Sequence, residues 1–358
     1  MRVLIATGLY PPEIGGPATY AVTLERELPA HEIAVDTLPF AAVRRSPKVI
    51  RHLRYAWQLW RRARGADLVY ALDPISVGLP AYLVAWLRRR PFLLRLGGDY
   101  AWEQGRNRFG LEQPLDAYTE QPNAAPMPVR VLAVLQRWVA RRAEGVVVPS
   151  RYLGSIVATW GVPEARIRVI YSALEPVPDP GDRPQVRREL DLSGPVVVTA
   201  GRLVPWKGVD ALITAVAQLQ ATHPGLSLMI AGDGPERAHL EEQVRAEGLA
   251  ASVHFLGAIH RTELARVVRA ADVFVLNTAY EGLSHQLLEV MALGTPIVTT
   301  PVGGNRELLT HEREGLLVPF GDAAAIAAAI DRLLTEPELY KRCTTAARQR
   351  SRSFSPER

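Results

Sequence analysis

With 358 residues, 48% of them hydrophobic, the chain is long enough for two domains that each bury a core of their own. Its single cysteine, Cys343, excludes an internal disulfide and any cysteine-cluster metal site. The formal charge of +5 is uneven: residues 1–178 hold 23 Lys and Arg against 15 Asp and Glu, so an anionic partner or surface is expected on the first half.

Residues 3–6 form a short strand-like run without the longer apolar region and cleavage site of a secretory signal, which predicts a cytoplasmic protein. The turn that follows, residues 8–16, reads Gly-Leu-Tyr-Pro-Pro-Glu-Ile-Gly-Gly rather than Gly-x-Gly-x-x-Gly, and so argues against a dehydrogenase. A second strand is expected at 33–38. Residues 51–64 then combine five arginines with Trp57 and Trp60, a pattern open to two readings. One is a basic helix lying at the inner face of a membrane; the other is an ordinary amphipathic helix with Leu53, Trp57 and Trp60 facing the core. Strands at 68–71 and 92–96 flank the longest apolar run, 75–87, which is shorter than a bilayer span and contains Pro80, so it reads as a buried helix. Residues 97–128 show little apolar periodicity and read as a long irregular segment, of the kind that serves recognition. Strands at 145–148 and 167–171 complete the first half. No zinc-finger, RNA-recognition or basic-zipper signature accompanies the arginines, so no nucleic-acid partner is expected.

A proline-rich break at 176–184 precedes a second series of strands at 196–200, 226–231, 253–256, 273–277 and 296–300. The expected organisation is a first domain over 1–176, a linker over 177–186, a second domain over 187–340 and a tail over 341–358. The alternation of strands and helices specifies an α/β fold of two Rossmann-like parallel-sheet domains, with ligand bound at a shared cleft at the carboxyl ends of the strands. Residues 201–208, Gly-Arg-Leu-Val-Pro-Trp-Lys-Gly, set Arg202 and Lys207 at a strand-to-helix turn, where phosphates bind. Only three of the 42 basic residues are lysines, Lys48, Lys207 and Lys341, so a lysine at this turn suits a point-charge contact to a diphosphate. Residues 281–289, Glu-Gly-Leu-Ser-His-Gln-Leu-Leu-Glu, pair two carboxylates across a predicted helix start at Ser284. Glu289 falls within an apolar helical run, where an ionised carboxylate needs a partner, and sugar or ribose hydroxyls would serve.

In the order and spacing of its motifs the chain resembles family 4 of the retaining glycosyltransferases over nearly its whole length. The motifs are Gly15-Gly16, Val-Val-Pro-Ser at 147–150, the Gly201 to Gly208 turn, Ala-Gly-Asp-Gly-Pro at 231–235, Phe-Leu-Gly at 255–257, the Glu281/Glu289 pair and Val-Gly-Gly-Asn at 302–305. The resemblance implies a GT-B fold and transfer of a sugar from a nucleoside diphosphate donor to an acceptor hydroxyl of a glycan or lipid-linked substrate, with retention of configuration. It implies no cofactor and no metal. Arg202 and Lys207 would then neutralise the leaving diphosphate, Glu281 would meet the donor sugar and Glu289 the ribose. Gly282, Leu283 and Ser284 would lie against sugar and phosphate, Gly15 and Gly16 would let a loop approach the diphosphate, and Phe255, Gly257 and Ile259 would border the base. The chain departs from the family at Gly97, where many members carry a histidine. It resembles instead a branch marked by Gly-Asp-Tyr-Ala-Trp-Glu, and Asp99 becomes the polar candidate to meet sugar or acceptor as a hydrogen-bond acceptor or base, or else a turn-forming residue. A second departure is at Phe354-Ser355-Pro356, where the family runs on into a helix that returns to the first domain; the tail is expected to be a shortened version of that helix, or incomplete. Two rival readings remain open, a GT-B nucleotide-sugar epimerase and a non-catalytic nucleotide-sugar-binding subunit.

Overall fold

The computed structural model describes residues 1–13, 15–44 and 46–355. It comprises two compact units, Met1–Ser172 and Ala173–Arg358, each built on a six-stranded parallel sheet. In the first unit the strands are β1 (Arg2–Thr7), β2 (Ala34–Pro39), β3 (Leu68–Ala71), β4 (Phe92–Arg95), β5 (Gly145–Val148) and β6 (Ile167–Val169), in the order β2-β1-β3-β4-β5-β6. In the second they are β7 (Val196–Ala200), β8 (Ser227–Ala231), β9 (Val253–Gly257), β10 (Val273–Leu276), β11 (Ile297–Thr299) and β12 (Leu316–Leu317), in the order β12-β11-β10-β7-β8-β9. The strands lie close to the expected ones. β12 was not foreseen, because two residues carry no periodicity.

Near-continuous Val, Ile and Leu in these strands is what a parallel sheet covered on both faces requires. β7 is buried at all five positions, and its Val197 packs with Ile213, Ile230, Val275, Val298 and Ile330 in the core of the second unit. Cys343 lies in the same core, and burial pushes its thiol up to about 11, so it stays protonated at neutral pH. The helix Pro337–Ser351 belongs to this unit as well, packed on the helix His285–Leu293.

Both sheets reverse their strand order once. In the first, β2 and β3 lie on opposite sides of β1; in the second, β8 and β10 lie on opposite sides of β7. Helices therefore diverge to opposite faces at the β1/β3 and β7/β10 boundaries and leave a crevice at the carboxyl ends of those strands.

Two expectations need correction. The stretch 97–128 is not irregular: it contains the helices Tyr100–Arg108 and Leu115–Glu120. The helix Tyr100–Arg108 buries only Ala101, Trp102 and Gly105 and is otherwise polar, so it leaves no apolar stripe in the sequence to read. Of the two readings open for 51–64, the core-facing one does not hold for Leu53 and Trp57: in the helix Lys48–Arg62 both point to solvent, while Tyr55 and Leu59 are buried. The apolar run 75–87 likewise yields a helix, Gly78–Arg88, that buries one side only, leaving Leu83, Trp86 and Leu87 exposed.

Close backbone approach between the ends of β7 and β8 depends on a glycine. A Cβ added to Gly232, whose φ is +132°, would sit 1.8 Å from the carbonyl oxygen of Gly201. Gly225, at φ +78°, has nothing within 4 Å of its own Cβ position. Gly225→Ala is expected to cost about 1–2 kcal/mol, the strain of a left-handed alanine. Gly232→Ala is expected to cost about 3 kcal/mol or more, since overpacking adds to backbone strain. Urea unfolding of the two variants checks the difference, and equal losses would contradict the packing described.

Candidate functional site

The loops after β7 and β10, which flank the strand reversal of the second sheet, are tied to each other by hydrogen bonds. Buried Asn277, just past β10, donates from Nδ2 to the carbonyl of Gly208 (2.7 Å) and accepts at Oδ1 from the N–H of Gly321 (3.1 Å). Ala279 N–H donates to the carbonyl of Trp206 (2.8 Å), and Thr278 Oγ1 donates to the carbonyl of Tyr280 (3.0 Å). Gly208 is required here: its φ is +50°, and a Cβ would come 2.3 Å from Asn277 Nδ2. Asn277 went unnoticed in the sequence because nothing but its position after an apolar strand marks it.

This stitching brings Lys207 and Glu281 together as an ion pair, Nζ to Oε1, with side chains only 19% and 16% exposed. They are 74 residues apart in sequence. Arg202, in the same turn as Lys207, is exposed, and among the described residues it has no ion-pair partner. A small cavity beside it is lined by Thr199, Gly201, Arg202, Leu203, Lys207 and Leu276. The helix His285–Leu293 starts where expected: Ser284 is its N-cap and accepts the N–H of Leu287 (3.3 Å). Gly282, Leu283 and Ser284 are all buried beside it. Gly304 donates its N–H to the carbonyl of Glu281 (3.0 Å), and a Cβ on Gly304 would lie 2.2 Å from the carbonyl oxygen of Gly282, so the turn over 302–305 clamps the chain just after Glu281.

Glu289 has a protein partner. Arg261 donates from Nε to its Oε1 (2.9 Å), and the same guanidinium reaches the carbonyl of Glu175 (3.2 Å). A ligand is therefore not needed to explain a carboxylate in that apolar run, and Glu289 stays about one-quarter exposed. Ile259 precedes Arg261 by two residues and is half-buried. Phe255 and Gly257 lie on the edge strand β9, at a register irregularity where Gly257 pairs with Ala231. The guanidinium of Arg237 lies over the Phe255 ring, 5.6 Å from its centroid.

In the first unit, Gly15 immediately precedes the helix Gly16–Glu27 and Gly16 begins it. Asp99 is fully buried as the N-cap of the helix Tyr100–Arg108. Its Oδ1 accepts the N–H of Trp102 (2.9 Å) and Nε2 of Gln136 (2.8 Å), and burial raises its carboxyl above the usual range. Its Oδ2 is buried without a hydrogen-bond partner among the described residues. A carboxylate not foreseen, Asp73, stands at the first sheet's strand reversal, just beyond β3. Its Oδ1 accepts the N–H groups of Ile75 (2.9 Å) and Val77 (3.3 Å), yet burial pushes it up to about 6. Its Oδ2 faces Gly8, beyond β1: a Cβ on Gly8 would come within 2.7 Å of that oxygen. Tyr100 and Ser76 bond through their hydroxyls nearby (3.1 Å). The signal available in the sequence was Asp-Pro directly after a strand.

Comparison with known proteins bears on the family and the fold. Residues 2–173 match the glycosyl transferase 4-like domain, and residues 182–350 match glycosyl transferases group 1. The glycogen synthase of Mycobacterium tuberculosis is 32% identical over 62% of this chain, a match that spans about half the length of that protein, 53%. The 2-deoxystreptamine N-acetyl-D-glucosaminyltransferase of Streptomyces fradiae is 28% identical over 89% of this chain and 76% of its own. Among solved structures, HepE of Anabaena in complex with UDP-glucose superposes with a TM-score of 0.78 at 20% identity, over all of this chain and 96% of that one. Sucrose-phosphate synthase of Thermosynechococcus elongatus gives 0.79 at 21%, over 99% and 95%. The fold is thus the two-domain α/β GT-B fold.

Removing one member of the Lys207–Glu281 pair leaves a mostly buried charge alone. Lys207→Met and Glu281→Gln are each expected to lower stability by about 1–3 kcal/mol, and the double variant by less than the sum, with a coupling of about 1–2 kcal/mol. A double-mutant cycle in urea measures this; additive losses would mean that the pair is not formed.

Proposed function

Since the chain belongs to the group 1 glycosyltransferases, we propose that it transfers a sugar from a nucleoside diphosphate donor to an acceptor hydroxyl with retention of configuration. The observation that carries the reading is the Lys207–Glu281 pair beside unpartnered Arg202 at the strand reversal of the second unit. These two charges satisfy each other. A nucleotide sugar offers a replacement for each: its diphosphate pairs with Lys207 and Arg202, and its sugar hydroxyls donate to the carboxylate of Glu281. The partially positive start of the helix His285–Leu293 adds to the field on the phosphates.

In the transfer, the bond between the anomeric carbon and the diphosphate oxygen breaks, and its electron pair leaves with the diphosphate. The acceptor oxygen forms the new bond to that carbon. Charge therefore grows on the diphosphate, where Lys207 and Arg202 are the stabilising cations in place of a resident metal. Glu289 and Arg261 form the outer wall of the site, and the stretch from Phe255 to Ile259 borders the base. Uridine is the base to test first, because HepE holds UDP-glucose. Asp99 shapes the first unit by starting the helix that carries Tyr100, and Asp73 is the group proposed to accept the proton of the acceptor hydroxyl.

The test is release of nucleoside diphosphate from a panel of nucleotide sugars with and without acceptor glycans. Release that depends on acceptor supports the transferase; turnover of donor alone to an isomeric nucleotide sugar would indicate an epimerase. Tight donor binding without any turnover would indicate a binding subunit. Lys207→Ala is expected to lower turnover by about a hundredfold or more, the scale of losing one transition-state donor.

A second expectation follows from Asp73. As a proton acceptor it must be ionised, and its carboxyl titrates at about 6, so kcat/KM for the acceptor should fall as pH drops through that value. Asp73→Asn should lose the acidic limb together with most of the activity. An unchanged pH profile in that variant would remove Asp73 from the chemistry.

A further inference from the structure

Crossovers that run in one direction across a parallel sheet place their helices on one face. The connections β2 to β3, β3 to β4 and β4 to β5 all run the same way, so the helices Lys48–Arg62, Gly78–Arg88 and Met127–Arg142 share a layer. Each packs on the next: Arg88 lies over the ring of Trp60, 3.4 Å from its centroid, and Tyr82 meets Trp138 edge to face at 5.1 Å.

The outer surface of this layer has two properties that conflict in water. Each helix carries a stripe of exposed apolar side chains at helical spacing. These are Ile50, Leu53 and Trp57 on the first, Leu83, Trp86 and Leu87 on the second, and Met127, Val131 and Val134 on the third. Leu53, Trp57, Trp86, Leu87, Met127 and Val134 are each more than half exposed. The same three helices also hold ten Lys or Arg and no Asp or Glu. Among them Arg61 lies over the ring of Trp57 at 4.8 Å and Arg142 over that of Trp138 at 4.1 Å. An acid, Glu144, borders the hollow formed by Trp86, Leu87, Arg89 and Arg90.

We propose that this face docks on an anionic lipid bilayer, with the three apolar stripes in the interfacial layer and the arginines on lipid phosphates. The occupant follows from what each alternative cannot satisfy. A nucleic acid would pair with the arginines and leave the aliphatic stripes uncovered. A second copy of the chain in a two-fold dimer would cover the stripes but set three helices that hold no Asp or Glu against the same three, with Glu144 at their border to offset the arginines. A bilayer surface presents hydrocarbon and anionic phosphate together, and Trp and Arg are suited to the boundary between them. Among the described residues no helix is long and apolar enough to cross a membrane, so contact is made from one side. The proposal goes beyond the transferase reading and stands on a different surface.

The test is sedimentation of the whole chain with vesicles of phosphatidylcholine alone or mixed with phosphatidylglycerol. The protein should pellet with the mixed vesicles, much less with the neutral ones, and should be released by salt. The triple variant Trp57→Ser, Trp86→Ser, Val134→Ser should lower partitioning by about tenfold or more. Each of Arg54→Glu, Arg61→Glu and Arg130→Glu should lower it by about fivefold or more. These side chains are exposed, so melting temperatures should hold, and nucleotide-sugar binding should be unaffected. Equal pelleting with both vesicle types, or full pelleting of the triple variant, would overturn the proposal. So would absence of vesicle binding together with a dimer in sedimentation velocity that the triple variant abolishes, or with retention on duplex DNA.

Discussion

The reversal of strand order between β7 and β10 is the constraint on which the candidate donor site depends. Right-handed crossovers carry the chain away from that boundary in both directions, so the two loops that leave it are the only ones in the second sheet not separated by a covering helix. Such a gap would be a defect if its backbone groups were left unpaired. Asn277 closes it by bonding Gly208 and Gly321 at once, and the pairing of Ala279 with Trp206 fixes the spacing. Lys207 and Glu281 meet because the loops are already joined. Their ion pair spans the same two loops, with side chains only 19% and 16% exposed.

The first unit repeats the geometry with different chemistry. At its reversal stand Gly8 and Asp73, and Arg44, itself paired with Glu13, reaches the carbonyl of Gly8 (3.4 Å). A carboxylate held by two backbone N–H groups and lifted by burial is suited to a neutral hydroxyl and poorly suited to a phosphate.

Legibility in the sequence followed the periodicity of each feature. Strands such as Val196–Ala200 are uninterrupted β-branched runs and could be read directly, and the start of the helix at Ser284 followed from capping chemistry. The helix Tyr100–Arg108 escaped because it buries three scattered residues, and β12 because it has only two. Site residues were visible where a motif surrounded them, as around Lys207 and Glu281. Their partners were not: the pairing of Glu289 with Arg261 joins residues 28 apart, and no local pattern specifies it. A carboxylate in an apolar run can be met by a ligand or by a cation from a neighbouring helix, and the run itself does not say which. Two readings stayed open for Leu53 and Trp57, since apolar spacing on a helix does not say which side meets the sheet; both are exposed.

On the proposed reading, the self-paired state of Lys207 and Glu281 also bears on selectivity. A free sugar could donate hydroxyls to Glu281 but would strip Lys207 of its partner and return nothing to it. An inorganic anion would pair with Lys207 and leave Glu281 alone in a site where its side chain is 16% exposed. Each of these ligands breaks one favourable contact to make another, so each gains little. A nucleotide sugar replaces both halves of the pair, and it brings a second negative charge for Arg202, which had no partner to lose. On that reading the Lys207–Glu281 pair makes the site quiet toward the fragments of its donor, and discrimination arises from the cost of leaving one charge of a mostly buried pair unmatched.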